Sequence, residues 1–296
     1  MVTTRKGYST SVFCNECGHV FLCEKCGVAL VMHKEVNSLK CRYCGEKISI
    51  PETCPKCSGV FLTGSGLGVE KVDMEIRKNF RDASVERVDT DIITKDSERE
   101  SSLKKFAEGK TDIIVGTQFA VPYLRHLKKG VVIIVGFEYL LGASDYRSSE
   151  EAVNFILGIA DLAGEGVRII IQARTKENPL LDRIIKGDLG SFWKEELKSR
   201  QELMYPPYYR LALISSKDKD GEKASCLLES LKKIIEVKIP GAVLLGPVFI
   251  NSIGGYGNYQ LLLKSKESPG KFLKESVAGL KSGEKFNSRN IDIEIY

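Results

Sequence analysis

Residues 14–57 read CNECGHVFLCEKCGVALVMHKEVNSLKCRYCGEKISIPETCPKC, and this stretch decides how the N-terminal region folds. Eight of the chain's nine cysteines lie in it, as four Cys-x-x-Cys pairs: Cys14/Cys17, Cys23/Cys26, Cys41/Cys44 and Cys54/Cys57. Two intervening residues let one tight turn offer both sulfurs to a single ion, and two such turns complete a tetrahedral four-cysteine site. Glycine follows Cys17, Cys26 and Cys44 directly, where the turn behind the second ligand favours positive φ, and Pro55 is a similar turn former inside the last pair. A disulfide framework belongs to small secreted domains. One such pair could be a redox motif, but four in succession are not. Tetrahedral paired turns suit zinc better than an iron–sulfur cluster. The expectation is therefore two zinc ions. Four pairs can be joined in three ways, and spacing alone leaves all three open. Four thiolates leave no position for a substrate, so the sites are structural. His33, between Cys26 and Cys41, reads as a solvent-facing loop residue, and Cys226, on a helical pattern, as a small core residue.

The remaining composition sets bounds. A chain of 296 residues, 43% hydrophobic, can build two or three compact domains. It has no apolar run long enough to span a membrane. Its start, Met1 to Lys6, lacks the apolar core of a signal peptide, so a cytoplasmic location is expected. The formal charge is +5; eight thiolates and two divalent ions would bring it to +1. Net charge is thus no argument for nucleic-acid binding, which must come from local patches.

Beyond Cys57 the pattern is α/β. Residues 69–80 have helical apolar spacing, 84–91 read as a strand ending in acidic residues, and 97–109 as a helix closed by Gly109. The apolar, β-branched runs 111–118 and 130–137 suit buried parallel strands, followed by a helix over 150–164 and a strand over 166–174. Strands alternating with helices imply a parallel sheet. The glycine-rich residues 64–68 read as a strand-to-helix turn rather than a phosphate cradle, because no lysine follows. Residues 178–204 form a helical connector, and YPPYY (205–209) breaks the chain rigidly. From about 205 to 296 the order is βαββαβ, a split βαβ sandwich standing as a separate domain.

The cysteine spacing, Gly66-Leu67-Gly68-Val69-Glu70, Asp89-Thr90-Asp91, the run DIIVGTQ (112–118) and residues 179–213 together resemble the C-terminal part of the primosomal replication-restart helicase family. The resemblance covers nearly the whole chain. It implies an architecture of a RecA-like helicase lobe 2 (1–13 and 58–177) with a double zinc module inserted at 14–57. The connector 178–204 and an S10-like βαββαβ domain at 205–296 follow. It also implies a nested pairing, with Cys14, Cys17, Cys54 and Cys57 on one zinc and Cys23, Cys26, Cys41 and Cys44 on the other. Forked or single-stranded DNA is the implied ligand, and replication restart the implied pathway.

The chain departs from the family pattern where nucleotide chemistry is concerned. The family's N-terminal half finds no counterpart, and there is no G-x-x-x-x-G-K-[ST] loop or D-E-x-H box. Gly116-Thr117-Gln118 is kept, but FAVPYLRHL (119–127) replaces the family's lysine, glycine, histidine and aspartate. The two arginines expected near the end of the following helix are Leu162 and Glu165. Such arginines stabilise charge on a transferring phosphoryl group, which leucine and glutamate cannot do. ATP is therefore not an expected ligand, and a catalytically silent DNA-binding remnant is. Half of a split helicase completed in trans, or a protein-interaction scaffold, are the alternatives. Lys25, Lys34, Lys40, Arg42, Tyr43 and Lys47 in the zinc module are the expected DNA contacts, cations set beside an aromatic ring. In the family an arginine-rich stretch before the strand at 260–264 helps dock single-stranded-DNA-binding protein. Here Gln260 and Lys264 remain as docking candidates while the arginines are gone.

Overall fold

The computed structural model describes residues 1–3, 12–33, 38–60, 62–63, 68–175, 177–270, 272–273 and 291–296. In chain order the first strands are β1 (Val2–Thr3), β2 (Phe13–Cys14), β3 (Val31–His33), β4 (Ser38–Lys40), β5 (Lys47–Ser49) and β6 (Leu62–Thr63). Then come α1 (Val69–Asn79), β7 (Val85–Val88), α2 (Asp96–Ala107) and β8 (Ile113–Gly116). A 3-10 helix (Gln118–His126) leads to β9 (Gly130–Val135), α3 (Phe137–Leu141), α4 (Ser148–Leu162) and β10 (Val167–Ile171). The remainder is α5 (Pro179–Lys186), α6 (Leu189–Glu202), β11 (Arg210–Asp218), α7 (Gly221–Lys238), β12 (Val243–Ile253), β13 (Tyr256–Ser265) and β14 (Ile291–Ile295).

The chain divides into two compact units. The first comprises Met1–Phe21 and Ile50–Pro179, the second Leu22–Ser49 and Leu180–Tyr296. The boundary runs through the cysteine-rich stretch, so that Cys14, Cys17, Cys54 and Cys57 belong to the first unit and the other four pair-forming cysteines to the second.

The first unit is built on a five-stranded sheet in the order β10-β9-β1-β8-β7, with every pairing parallel. The β-branched runs at 113–116 and 130–135 supply its centre, as expected of strands covered on their faces. Val69 and Val72 of α1 close over Val115 and Val135 on one face. Gly116 is required by close approach, because a Cβ there would stand 2.4 Å from the Val88 carbonyl oxygen. Two elements were not legible in the sequence. The two-residue β1 is too short to carry a period, yet it fills the middle of the sheet. The five-residue α3 continues straight out of β9 after Gly136, which takes φ +72.

In the second unit β11, β12, β13 and β14 form a four-stranded antiparallel sheet ordered β12-β13-β11-β14, with α7 between β11 and β12 in sequence. Leu228, Leu231 and Ile235 of α7 lie on Ala212, Ile214, Leu261 and Leu263, all fully buried. Burying such side chains contributes roughly 1.5–3 kcal/mol each. The second helix expected at 269–283 lies mostly outside the described residues. So do residues 64–67 of the glycine-rich turn and Lys34. Cys226 is exposed on α7, not in the core as its helical pattern suggested. Among the described residues, no helix is long and apolar enough to cross a membrane.

Candidate metal centres

Four copies of one local turn present the sulfurs. In each, the fourth residue after the first cysteine donates its N–H back to that cysteine's carbonyl: Gly18 to Cys14 (3.0 Å), Gly27 to Cys23 (2.7 Å), Gly45 to Cys41 (3.1 Å) and Ser58 to Cys54 (2.8 Å). The first cysteine's own N–H then reaches the carbonyl five residues on: His19, Val28, Glu46 and Gly59. These bonds force the fourth residue into the left-handed region, with φ of +69, +67, +77 and +60. Glycine meets that demand without strain three times, and Ser58 meets it once at a cost. Amide N–H groups of Glu16, Tyr43 and Lys56 each lie 3.4 Å from the sulfur two residues back, which favours thiolate.

The turns come together as two separate clusters, Cys14/Cys17/Cys54/Cys57 and Cys23/Cys26/Cys41/Cys44, with the sulfurs of each within 4.8 Å of one another. Of the three joinings open to the sequence, this is the nested one. Bonds of about 2.3 Å in a tetrahedron put sulfurs about 3.8 Å apart. The measured separations are 3.6 Å for Cys14–Cys57, 3.7 Å for Cys17–Cys54 and 3.6 Å for Cys23–Cys44. Both clusters therefore fit zinc, and the chain's cofactors are two zinc ions. The clusters differ in cover. Cys57 in the first is exposed, whereas three sulfurs of the second are buried and Cys44 is half-buried.

Each cluster is seated on its own unit by a cation lying over an aromatic ring. In the first unit the Arg174 guanidinium lies 4.6 Å from the Phe13 ring centre. It donates to the Asn15 carbonyl at 3.4 Å and to the Tyr139 hydroxyl at 3.3 Å, and the Arg174 N–H donates to buried Glu138 at 2.8 Å. A Cβ on Gly18 would stand 2.9 Å from that carboxylate, so the turn and Glu138 fit only with glycine. In the second unit the Tyr205 hydroxyl donates to the Cys26 carbonyl at 2.8 Å. The Lys264 ammonium lies 3.6 Å from the centre of the Tyr205 ring and donates to the Leu203 carbonyl at 2.7 Å. A four-thiolate zinc site carries two negative charges, and a nearby cation offsets them.

Lys264 is 2% exposed, and burial pushes its pKa down to about 8, while the neighbouring cysteine sulfurs oppose that shift. In an unfolded chain lysine titrates near about 10.4. Between those values the unfolded state binds the additional proton, so this group makes stability rise with pH through that window. Urea midpoints taken from pH 7 to pH 10.5 should therefore climb less in Lys264→Met than in the unaltered chain. Equal slopes would remove Lys264 as the titrating group.

The expected surface residues are dispersed. Tyr43 is 7% exposed with its ring 6.4 Å from Tyr205, so it cannot stack on a base without leaving its seat. Lys264 is equally unavailable for docking a partner, for the reason just given. The Lys40 ammonium donates to the Phe249 carbonyl at 3.2 Å, and Lys25 pairs with Glu46. Arg42 and Lys47 are exposed, and Gln260 is half-buried in β13. Sequence reasoning missed Arg174, Glu138 and Tyr205 as supports of the cysteine turns. Only the aromatic run at 205–209 hinted at one of them.

Two family models match the chain: the PriA DNA helicase Cys-rich region (CRR) domain over residues 23–48, and the Primosomal protein N C-terminal domain over residues 201–295. Among similar proteins is a Replication restart protein PriA of Thermotoga maritima, 34% identical over 268 residues, covering 89% of this chain and 36% of that protein. Its counterpart in Bacillus subtilis is 30% identical over 269 residues, covering 89% of this chain and 33% of that protein. That of Helicobacter pylori is 29% identical over 285 residues, covering 95% and 45%. The chain thus spans between a third and a half of the length of these relatives. With two zinc-fitting cysteine clusters, a Cys-rich-region model that takes in the second of them and a C-terminal-domain model over residues 201–295, the chain belongs to the primosomal replication-restart (PriA) family, as a match to its C-terminal part.

Proposed function

We propose that this chain is a zinc-stabilised DNA-binding component of the replication-restart machinery whose own residues do not support ATP hydrolysis. The observation that carries the reading is the pairing of an intact eight-cysteine region with altered phosphate-facing positions. α4 ends at Leu162 and Glu165 follows in the next loop, exposed, where the family resemblance expects arginines. A carboxylate there would repel a triphosphate. On this reading the parallel sheet is a degenerate RecA-like second helicase lobe, and the antiparallel unit is an S10-like domain. Its strand order and α7 packing support the second assignment. The zinc module would contact forked or single-stranded DNA through Arg42 and Lys47, in the cytoplasm. Docking of single-stranded-DNA-binding protein has less support, because Lys264 is enclosed.

The test is a fork-oligonucleotide binding series across salt, run beside an ATP hydrolysis assay with and without that fork. Salt-dependent fork binding with no DNA-stimulated hydrolysis is expected. Hydrolysis stimulated by the fork would overturn the silent assignment, and absence of binding at about 50 mM salt would overturn the DNA-binding one.

A further inference from the structure

The segment that runs from the end of the 3-10 helix into β9 reads Arg125-His126-Leu127-Lys128-Lys129, two basic pairs around one leucine. All four basic residues are exposed, whereas Leu127 is half-buried. Leu127 is held by its N–H on the Leu124 carbonyl at 3.0 Å. The loop also abuts the segment before β10: the Gly130 N–H donates to the Gly166 carbonyl at 3.4 Å. A Cβ on Gly166 would stand 2.6 Å from the Lys128 carbonyl oxygen. Leucine thus anchors a loop whose cations face water from a fixed backbone. Arg168, also exposed, stands opposite Val131 in the β9–β10 register, two residues on from Lys129. No ion pair among the described residues engages Arg125, Lys128, Lys129 or Arg168. Glu165 is the one acidic residue in the adjoining loop.

A cation near the C-terminal end of a helical turn is favourable in itself, by about 0.3–1 kcal/mol, and this accounts for Arg125. It does not account for Lys128, Lys129 or Arg168. Four cations with no ion-pair partner among the described residues have a cost of mutual repulsion, which an anionic partner removes. No exposed aromatic ring lies in this loop, so the surface lacks a stacking platform for single-stranded bases. Its chemistry suits a repeating anion read without regard to sequence.

We infer that the Arg125–Lys129 loop, together with Arg168, forms a contact surface for the phosphodiester backbone of duplex DNA, separate from the zinc module. This surface lies at the N-terminal ends of β9 and β10, the sheet edge opposite the one where ligands of open α/β sheets gather. It rests on the DNA-binding reading above and adds a second point of attachment to it.

The experiment measures binding of a fluorescent fork oligonucleotide with duplex arms, in two unrelated sequences, across a salt series. Each phosphate contact steepens the plot of log affinity against log salt by about 0.9. A triple variant, Lys128→Ala with Lys129→Ala and Arg168→Ala, should flatten the slope by about 2–3 for both sequences. The charge-keeping pair Lys128→Arg with Lys129→Arg should retain it. An unchanged slope in the triple variant, with the unaltered chain binding the fork, overturns this surface and leaves the zinc-module reading standing. No fork binding by the unaltered chain overturns both.

Discussion

Tyr205→Ala should lower the stability of the second unit by roughly 4–5 kcal/mol, a large share of the about 5–15 kcal/mol that a domain of this kind has to lose. Tyr205 is 1% exposed and meets the Cys26 carbonyl, the Lys264 ammonium and the Tyr43 ring at once. Truncating a large buried aromatic side chain costs about 3–5 kcal/mol from lost transfer energy and the cavity left behind. The Cys26 carbonyl then loses its 2.8 Å hydroxyl donor, and Lys264 loses the ring beneath its ammonium. An enclosed cation deprived of its π-face is the costlier loss, because that contact is stronger where water is excluded. Tyr205→Phe keeps the ring and should cost only about 1–2 kcal/mol, the value of one hydrogen bond and its orphaned acceptor. Urea unfolding followed on the two variants separates the terms. Equal losses would mean that the ring contributes nothing beyond its hydroxyl.

This seat explains which parts of the centre were readable beforehand. The Cys-x-x-Cys spacing is a local constraint: a turn of four residues offers two sulfurs or it does not. The glycines after Cys17, Cys26 and Cys44 report the same turn, since each takes positive φ. The joining of the turns is not local. Four equivalent pairs carry no label for their partner, and only the family resemblance favoured the nested arrangement that the structure adopts.

Exposure was the other quantity hidden from the sequence. Tyr43 and Lys264 read as surface groups because a ring among lysines and a lysine on a strand usually are. Both are enclosed because Tyr205, some 160 residues after Tyr43, brings a ring and a hydroxyl to the Cys23–Cys26 turn. Arg174 was invisible for the same reason, since its interaction with Phe13 spans the whole first unit. The helices over 69–79, 96–107 and 148–162 were legible from their periods, as were the buried strands β8 and β9. β1 was not, because two residues cannot show a period.

The two clusters also divide the consequences of losing metal. Structural zinc contributes an apparent 10–16 kcal/mol or so to the folding of its module at neutral pH. That is as large as the net stability of a typical domain, about 5–15 kcal/mol, so each cluster should be essential to the turns it ties together. Because the first cluster lies in one unit and the second in the other, loss of one ion should leave the other's ligands in place.

Counting zinc in the double variant Cys14→Ser with Cys54→Ser tests this account most directly. In the nested arrangement both substitutions fall on a single site, and the second site keeps Cys23, Cys26, Cys41 and Cys44. Metal analysis after dialysis should then find one zinc per chain, against two in the unaltered protein. Either of the other joinings places Cys14 and Cys54 on different ions, and each site would lose a ligand. A chain retaining no zinc would contradict the nested centres on which the rest depends.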